Sequence, residues 1–426
     1  MEQRSQKKDD RANAVYPNSA FVGTCPQGNG FRCYNQCLYP QSKMNKHTMY
    51  IRGDSFGLNW NSGKSMANPV DDVFTITLSG TKSGLTIKHG KLLRPKKKTK
   101  TGAKSLKKGE GNILKKKKKG CKKKDKKIKG ANSMYSFDSN SPSSVNLTTY
   151  PWFYTYSGDY EYTRNVYSPQ LNNYRDLVVY LPPSFYENTL KQYTNVLVMH
   201  DGQNLFNAST SFAGVAWDVQ DTINQQVVEG NMEEVIVIGD GGGADYYLDF
   251  IEQTAIPTIR DDRYPGRIPT SLKTFGMIGS SLGGLVSCYC GWTRADTFNK
   301  LGCMSSSFWW NNFGFNTTIL YQTYSIRPNY IYLDVGALEP YQQQIVGAIA
   351  VRDHLVALGY VLNQTLKYYF DPTGQHNEAS WGARFWIPMQ FLYPPIAYPL
   401  KCFNNIKKSQ LQLFYFFFYI LYSISI

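Results

Sequence analysis

The chain has 426 residues, with 47 Lys+Arg against 31 Asp+Glu and a formal net charge of +16. That length is enough for one large domain and a smaller one. The charge would point to a nucleic-acid or acidic-surface partner if it were spread over the fold, but residues 91–130 hold 20 of the basic residues and only two acids, Glu110 and Asp125, which leaves the rest of the chain near neutral at −2.

Residues 1–24, opening "MEQRSQKKDDRANAV", are expected to be disordered and contain no apolar stretch of the kind a signal peptide needs. Residues 25–150 read as a small β module. Cys25, Cys33 and Cys37 crowd its start, and no second Cys/His pair follows at finger spacing, so a disulfide there is favoured over a zinc site. "TMYIRG" and "DVFTITLSG" are β-rich runs separated by Gly, Asn, Asp and Pro. Trp60, between two Asn residues, is favoured as core of a small sandwich, with a sugar-stacking platform as the alternative. The Lys-rich tract 91–130 has no aromatic residue and too few apolar ones to offset the entropy of ordering, so it is expected to be a disordered, solvated insertion. Nucleic-acid or membrane-surface binding through it ranks last, because no base-stacking aromatic or base-reading motif accompanies it.

Residues 151–400 change texture. "RDLVVYLPPSFY", "TNVLVMHDGQ", "EEVIVIGDGG", "TFGMIGSS" and "NYIYLDVG" are short β-branched runs ending in Gly, Asp, Pro or Ser, and "KYYFD" adds a last strand. "WDVQDTINQQVVEG", "SLGGLVSCYCGWT" and "QQQIVGAIAVRDHLVALG" have apolar residues at helical spacing. Strands alternating with helices predict a mostly parallel sheet, with chemistry at the C-terminal ends of its strands. Cys288, Cys290 and Cys303 lie in apolar surroundings and read as ordinary buried thiols. Residues 401–426 form a tail whose last 16 residues are apolar, short of the roughly 20 that span a membrane. This tail and the Lys tract are rich in residues with codons of A and T alone, the character of translated non-coding sequence. Asn146, Asn207, Asn316 and Asn363 each begin an N-x-Ser/Thr sequon, a hint of secreted ancestry that leaves the compartment unassigned.

Ser281, in "GSSLGG", follows one of these strands and opens a helix. Flanking glycines permit the strained turn that lifts a serine hydroxyl clear of a sheet, the signature of a nucleophile elbow. A serine needs a base, and His376, in the loop after the last strand, is where that base is expected; His47, His89, His200 and His354 are worse placed. The acid is expected after "NYIYLDVG". Glu339 is favoured there, Asp334 within the strand is the alternative, and Glu378 is expected to hold a loop. Oxyanion donors are expected from the backbone N–H of Leu282 and of Gly202 or Gln203. His200 and Asp201 read as groups fixing that loop rather than a metal pair, and no metal or cofactor is expected.

"LVVYLPPSFYENTL", "VLVMHDGQNLF", "MIGSSLGGLVSCYCGWTRADTFNKLGCMSSSFWW", "YLDVG" and "GQHNEASWGARF", between about 175 and 393, together resemble the putative-esterase family of α/β-hydrolases, which includes enterochelin esterases, feruloyl esterases and S-formylglutathione hydrolase. The resemblance implies Ser281 as nucleophile and His376 as base. It puts the acid at Glu339, where Glu in place of Asp departs from the family pattern and a Ser/His dyad is the alternative. It also implies an N-terminal β module, with the Lys tract standing in place of the strands expected between "TLSG" and "GANSMYSFDS". More weakly, residues 48–79 resemble starch-binding or esterase-associated β-sandwich modules. The resulting expectation is an α/β-hydrolase preceded by a small all-β module. Its activity is that of a serine carboxylesterase working through an acyl-enzyme on a small-molecule or polysaccharide-linked ester, of carbohydrate-linked or siderophore type. The alternative is a carbohydrate-binding protein on an inactive hydrolase scaffold.

Overall fold

The computed structural model describes residues 157–240, 244–321 and 329–395 without a break, and Thr155 and Arg327 besides; of the N-terminal part it describes residues 15–16, 31–43, 47–53, 58, 64–80, 85–93, 133–135 and 144–152. Eight strands form the large sheet: β1 Asp159–Ser168, β2 Asn173–Leu181, β3 Val196–Met199, β4 Ile236–Gly239, β5 Phe275–Ser280, β6 Phe298–Met304, β7 Tyr330–Leu338 and β8 Leu366–Gln375. Their order is β1-β2-β4-β3-β5-β6-β7-β8. The β1/β2 and β2/β4 pairs are antiparallel and every other pair is parallel. The strand and helix pattern predicts such a mostly parallel sheet, and this is the α/β-hydrolase architecture that the family resemblance implies.

β3, β4 and β5 are buried at every position, as strands of a parallel sheet covered on both faces must be. The two-residue period divides their side chains between two cores. Among the helices are α1 Val219–Glu229, α2 Ala244–Phe250, α3 Ser281–Thr293 and α4 Gln342–Ala357. Val196, Val198, Ile236 and Ile238 pack on one face with Cys288 and Cys290 of α3 and Val351 and Leu355 of α4. Leu197, Met199 and Val237 pack on the other with Val219, Ile223 and Val227 of Val219–Glu229 and Met389 and Leu392 of Trp386–Leu392. Among the described residues no helix is long and apolar enough to cross a membrane.

Two strands depart from the expectation. β6, "FNKLGCM", lacks the β-branched run of its neighbours and escapes pattern reading; its place between β5 and β7, with Leu301, Cys303 and Met304 buried, makes it a strand. β8 runs on through "DPTGQ" to Gln375, where Leu338 of β7 pairs with it across a bulge.

The N-terminal strands form two sheets. His47–Gly53 and Val73–Gly80, the two β-rich runs, fall in different ones. Two strands lie where none was expected. Val15–Tyr16, within the segment expected to be disordered, pairs with Leu85–Leu93. That strand occupies ground assigned to the Lys tract's gap and extends to Leu93, three residues into the tract. It forms because it pairs with His47–Gly53 along seven residues and with Ser133–Tyr135; those backbone partners outweigh the unfavourable local composition. Residues 94–130, Trp60, Cys25 and the tail from residue 396 lie outside the described residues, as does any disulfide through Cys25.

The β module meets the hydrolase sheet at the turn after β2. The buried carboxylate of Glu187 accepts from the Tyr39 hydroxyl at 2.9 Å and from the backbone N–H and hydroxyl of Thr155 at 3.1 and 2.9 Å. Asn188 donates to the carbonyls of Leu38 and Pro151. Hydrogen bonds to a buried charge contribute about 1.5–3 kcal/mol each, so Glu187→Ala should detach the module first. Limited proteolysis should then cut between residues 39 and 155 at concentrations that spare the wild type, with the fragment from about residue 156 onward surviving.

Candidate active site

Ser281 stands at the first position of α3, with φ 56°, directly after β5. Such a left-handed backbone is costly for a non-glycine residue and persists only where its surroundings hold it. Two close approaches do so. A Cβ on Gly279 would lie 2.4 Å from the His200 ring, and one on Gly284 would lie 2.4 Å from the Ser306 hydroxyl. The glycines of "GSSLGG" thus let α3 pack tightly on the β3 and β6 loops. The Ser307 N–H donates to the Ser281 carbonyl at 2.9 Å and clasps the turn from the end of β6.

The Ser281 hydroxyl is 3.0 Å from His376 Nε2 and 3.2 Å from the Ser307 hydroxyl. His376 Nδ1 is 2.7 Å from Glu339 Oε2. Thus Ser281, His376 and Glu339, 95 and 37 residues apart along the chain, form one line at the C-terminal ends of β5, β7 and β8. His376 precedes α5 (Glu378–Arg384), whose N-cap Asn377 accepts from the Ser380 N–H at 2.9 Å. This cap sets where the helix starts and so where His376 sits. Trp381 presses on the imidazole edge-to-face at 5.0 Å.

Glu339 follows β7 directly, and its side chain is fully buried. Burial alone would raise its pKa, but hydrogen bonds from His376, Ser305 and the Gly336 N–H outweigh it and hold the carboxyl below its ordinary range. The tautomer follows, because the proton on Nδ1 goes to the carboxylate and Nε2 is left to accept from Ser281. Asp334 faces away from His376: it takes both arms of the buried Arg384 at 2.9 and 3.0 Å, the Ser305 N–H at 2.9 Å and the Tyr332 hydroxyl at 2.9 Å. Glu378 accepts from Asn204 at 3.3 Å, tying α5 to the loop after β3. His354, on α4, bonds Asn316 at 2.9 Å.

That loop carries Gly202 and Gln203 at the start of a 3-10 turn whose hydrogen bonds begin with the Asn204 N–H. The amides of Gly202 and Gln203 therefore precede the turn's own bonding, as the Leu282 N–H does at the start of α3. Gly202 packs against Gly239 at a distance that no Cβ fits. His200 lies buried beneath the elbow. Ser287 donates to the Gly283 carbonyl at 2.8 Å, so His200 Nε2 is the donor in its 3.1 Å contact with the Ser287 hydroxyl. Burial drives its pKa down to about 4, and it is a neutral packing group. Among the described residues no group of three His, Cys, Asp or Glu is placed to hold a metal.

Ser305, Ser307, Gln344 and Arg384 were not singled out in the sequence. The run "SSS" after an unrecognised strand was the only available signal, and Gln344, whose Nε2 is 2.8 Å from His376 Nδ1 and donates to the Ser305 carbonyl at 3.2 Å, offered none.

A strained serine at a strand-to-helix turn, lined up with a histidine and a buried carboxylate on this sheet order, defines an α/β-hydrolase. The family described as "Putative esterase" matches residues 168–390, and the chain belongs to it as an ester hydrolase of the carboxylesterase type. The uncharacterized protein YbbA of Bacillus subtilis is 26% identical over 219 residues, 45% of this chain and 78% of that protein. A siderophore triacetylfusarinine C esterase of Aspergillus fumigatus is 38% identical over 71 residues, 17% of this chain and 23% of that enzyme. Among solved structures, a ferulic acid esterase is similar with TM-score 0.46 and 17% identity, covering 56% of this chain and 99% of that one. An enterobactin esterase from Shigella flexneri is similar with TM-score 0.42 and 14% identity over 92% of this chain and 98% of that one.

His200 provides a pH test of the packing. Its folded pKa lies below the unfolded value near 6.5, so its stabilisation is complete above pH 6.5 and drains away as pH falls toward 4, by about 3 kcal/mol in all. Urea unfolding at pH 7.5 and 4.5 should show wild type losing about 2–3 kcal/mol more than His200→Gln over that interval. An equal loss in both would mean that the imidazole is not the group titrating.

Proposed function

We propose that this chain is a serine-dependent carboxylic ester hydrolase that works through an acyl-enzyme. Ser281 Oγ attacks the ester carbonyl, His376 Nε2 takes the hydroxyl proton and returns it to the leaving alcohol, and Glu339 holds the imidazole in the Nδ1–H tautomer and stabilises its charged form. A water activated by His376 then hydrolyses the acyl-enzyme. The observation that carries this reading is the continuous hydrogen-bonded line from Ser281 through His376 to Glu339. The backbone N–H groups of Leu282 and of Gly202 or Gln203 serve as oxyanion donors, a role their freedom from turn and helix bonding supports.

The substrate reading is a siderophore-type or carbohydrate-linked ester. The match of 71 residues to a siderophore esterase supports the first. Trp309 and Trp310 follow Ser307, and Tyr341 follows Glu339, with Trp310 and Tyr341 more than half exposed; they offer aromatic surface to a bulky ester. In this reading residues 151–400 are the catalytic domain and 25–150 an accessory module. The alternative, carbohydrate binding by an inactive scaffold, draws on the interrupted β module and the open choice of acid, with Trp60, outside the described residues, as its platform; no observation at the site favours it.

Turnover of p-nitrophenyl acetate should fall on the order of 10⁴-fold or more in Ser281→Ala, because members of a triad act as a unit. Glu339→Gln should lower kcat by as much as about 10⁴-fold, whereas Asp334→Asn should act chiefly on stability, costing about 3–5 kcal/mol in urea unfolding by leaving Arg384 buried without its full partner. Equal esterase rates in wild type and Ser281→Ala, or a larger kcat loss in Asp334→Asn than in Glu339→Gln, would sink the assignment.

A further inference from the structure

Resting on the reading of Glu339 as the acid, we propose that Arg384, acting through the Ser305 hydroxyl, is a positioning residue that aims Glu339 at His376. The direction of each hydrogen bond is forced. Ser305 has a single hydroxyl proton, and an ionised Glu339 can only accept, so Ser305 donates to Oε1 at 2.5 Å. A guanidinium can only donate, so Arg384 Nη2 gives its proton to the Ser305 oxygen at 2.7 Å. The same Nη2 donates to Asp334 Oδ1 at 3.0 Å while Nε donates to Oδ2 at 2.9 Å, and Nη1 reaches the Ser380 carbonyl at 3.1 Å and Asp371 at 3.5 Å. This fork fixes the guanidinium plane, and with it the point in space where the Ser305 hydroxyl must sit.

Ser305 itself has no slack. Its N–H goes to Asp334 and its carbonyl accepts from Gln344, both in the interior, and its backbone is held at φ 40°. A buried serine in a left-handed backbone, with all its polar groups engaged, is a strained position that the surroundings maintain, and its side chain has one free task, the bond to Glu339. The charged and titratable groups that face this cluster are His376 from the loop after β8, Asp371 of β8, Asp334 and Tyr332 of β7, and Arg384 of α5. With two aspartates beside it Arg384 is electrostatically satisfied already, so its arm to Ser305 adds direction as much as charge.

The consequence is a proton affinity. With the Ser305 donor removed, Oε1 keeps only the Gly336 N–H at 3.1 Å, and more negative charge resides on Oε2. Glu339 then loses one of the hydrogen bonds that hold its carboxyl below its ordinary range, and becomes a more basic partner for the imidazole it accepts from. Loss of one hydrogen bond to a charged group corresponds to about one pH unit.

The test is the pH dependence of kcat for p-nitrophenyl acetate in the full chain, with Ser305→Ala, Ser305→Gly and Arg384→Lys beside Glu339→Gln. Both Ser305 variants remove the hydroxyl, but Gly relieves the positive φ and Ala does not, so a common effect belongs to the hydroxyl and not to the backbone. The acid limb should move up by about one unit in both, with plateau kcat reduced about tenfold. Arg384→Lys, which keeps the charge but cannot fork, should move it the same way by less; rates are normalised to the reactive fraction by active-site titration. An unmoved limb in both Ser305 variants overturns the proposal, as does a shift confined to Ala, and an unmoved limb in Arg384→Lys removes Arg384 from it. Wild-type kcat in Glu339→Gln would instead overturn the assignment of the acid on which it rests.

Discussion

A carboxylate with no exposed surface is tolerable only if donors replace the water it has lost, and Glu339 imposes that constraint on its whole surroundings. It takes a backbone N–H from its own strand end, a hydroxyl from the end of β6 and an imidazole N–H from the loop after β8. Three strand ends must therefore arrive within hydrogen-bonding distance of one group. The strand order makes this possible, because β6, β7 and β8 are consecutive neighbours running in parallel, so their C-terminal ends emerge side by side. The buried Asp334–Arg384 pair one layer below answers the same requirement. Each of its charges is met by the other and by neighbouring hydroxyl and backbone groups, which is the condition under which an interior ion pair is stable.

The turn at Ser281 obeys a different constraint, one of space. Ser281 can hold its left-handed turn only if α3 comes close behind it, and the gap is set by His200 below and Ser306 beside. A charged imidazole at that depth would be costly, and burial keeps His200 neutral. The bond its imidazole donates, to Ser287 nearly two turns along α3, links the β3 loop to the helix that Ser281 opens. The loop bearing Gly202 and Gln203 is thereby held against the elbow, and Glu378 holds its other side through Asn204. Two histidines of one chain thus take opposite roles by environment: His200 sealed as packing, His376 partly open and tied to a carboxylate.

Much of this was legible in the primary structure because it depends on local spacing. The glycine pattern around Ser281 reports a tight turn whatever surrounds it, and β-branched runs ending in Gly or Asp report buried parallel strands. Ser281, His376 and Glu339 were singled out because nucleophile, acid and base each follow a strand, and strand ends can be located from periodicity. β6 was missed since its pattern is weak and its strand character comes from its neighbours. With it went the serines at its end, one of which clasps Ser281 and another of which bonds Glu339. The strand Leu85–Leu93 escaped for the same reason, as its partners lie far away in sequence.

The residues alone determined the alternation of strand and helix, the serine at the tight turn after β5 and the strand-end loops that carry His376 and Glu339, because each is written within a few consecutive positions. Only the tertiary structure shows which of Glu339 and Asp334 meets His376. Both carboxylates sit within six residues on or beside β7, and spacing cannot say which way a buried acid faces. Asp334 is inside the strand, where its side chain meets the guanidinium of Arg384, 50 residues away in the chain. Glu339 is just past the strand end, where the backbone is free to turn toward His376. The choice was made by the charge that each carboxylate finds opposite it, and that depends on which distant segments the sheet brings together.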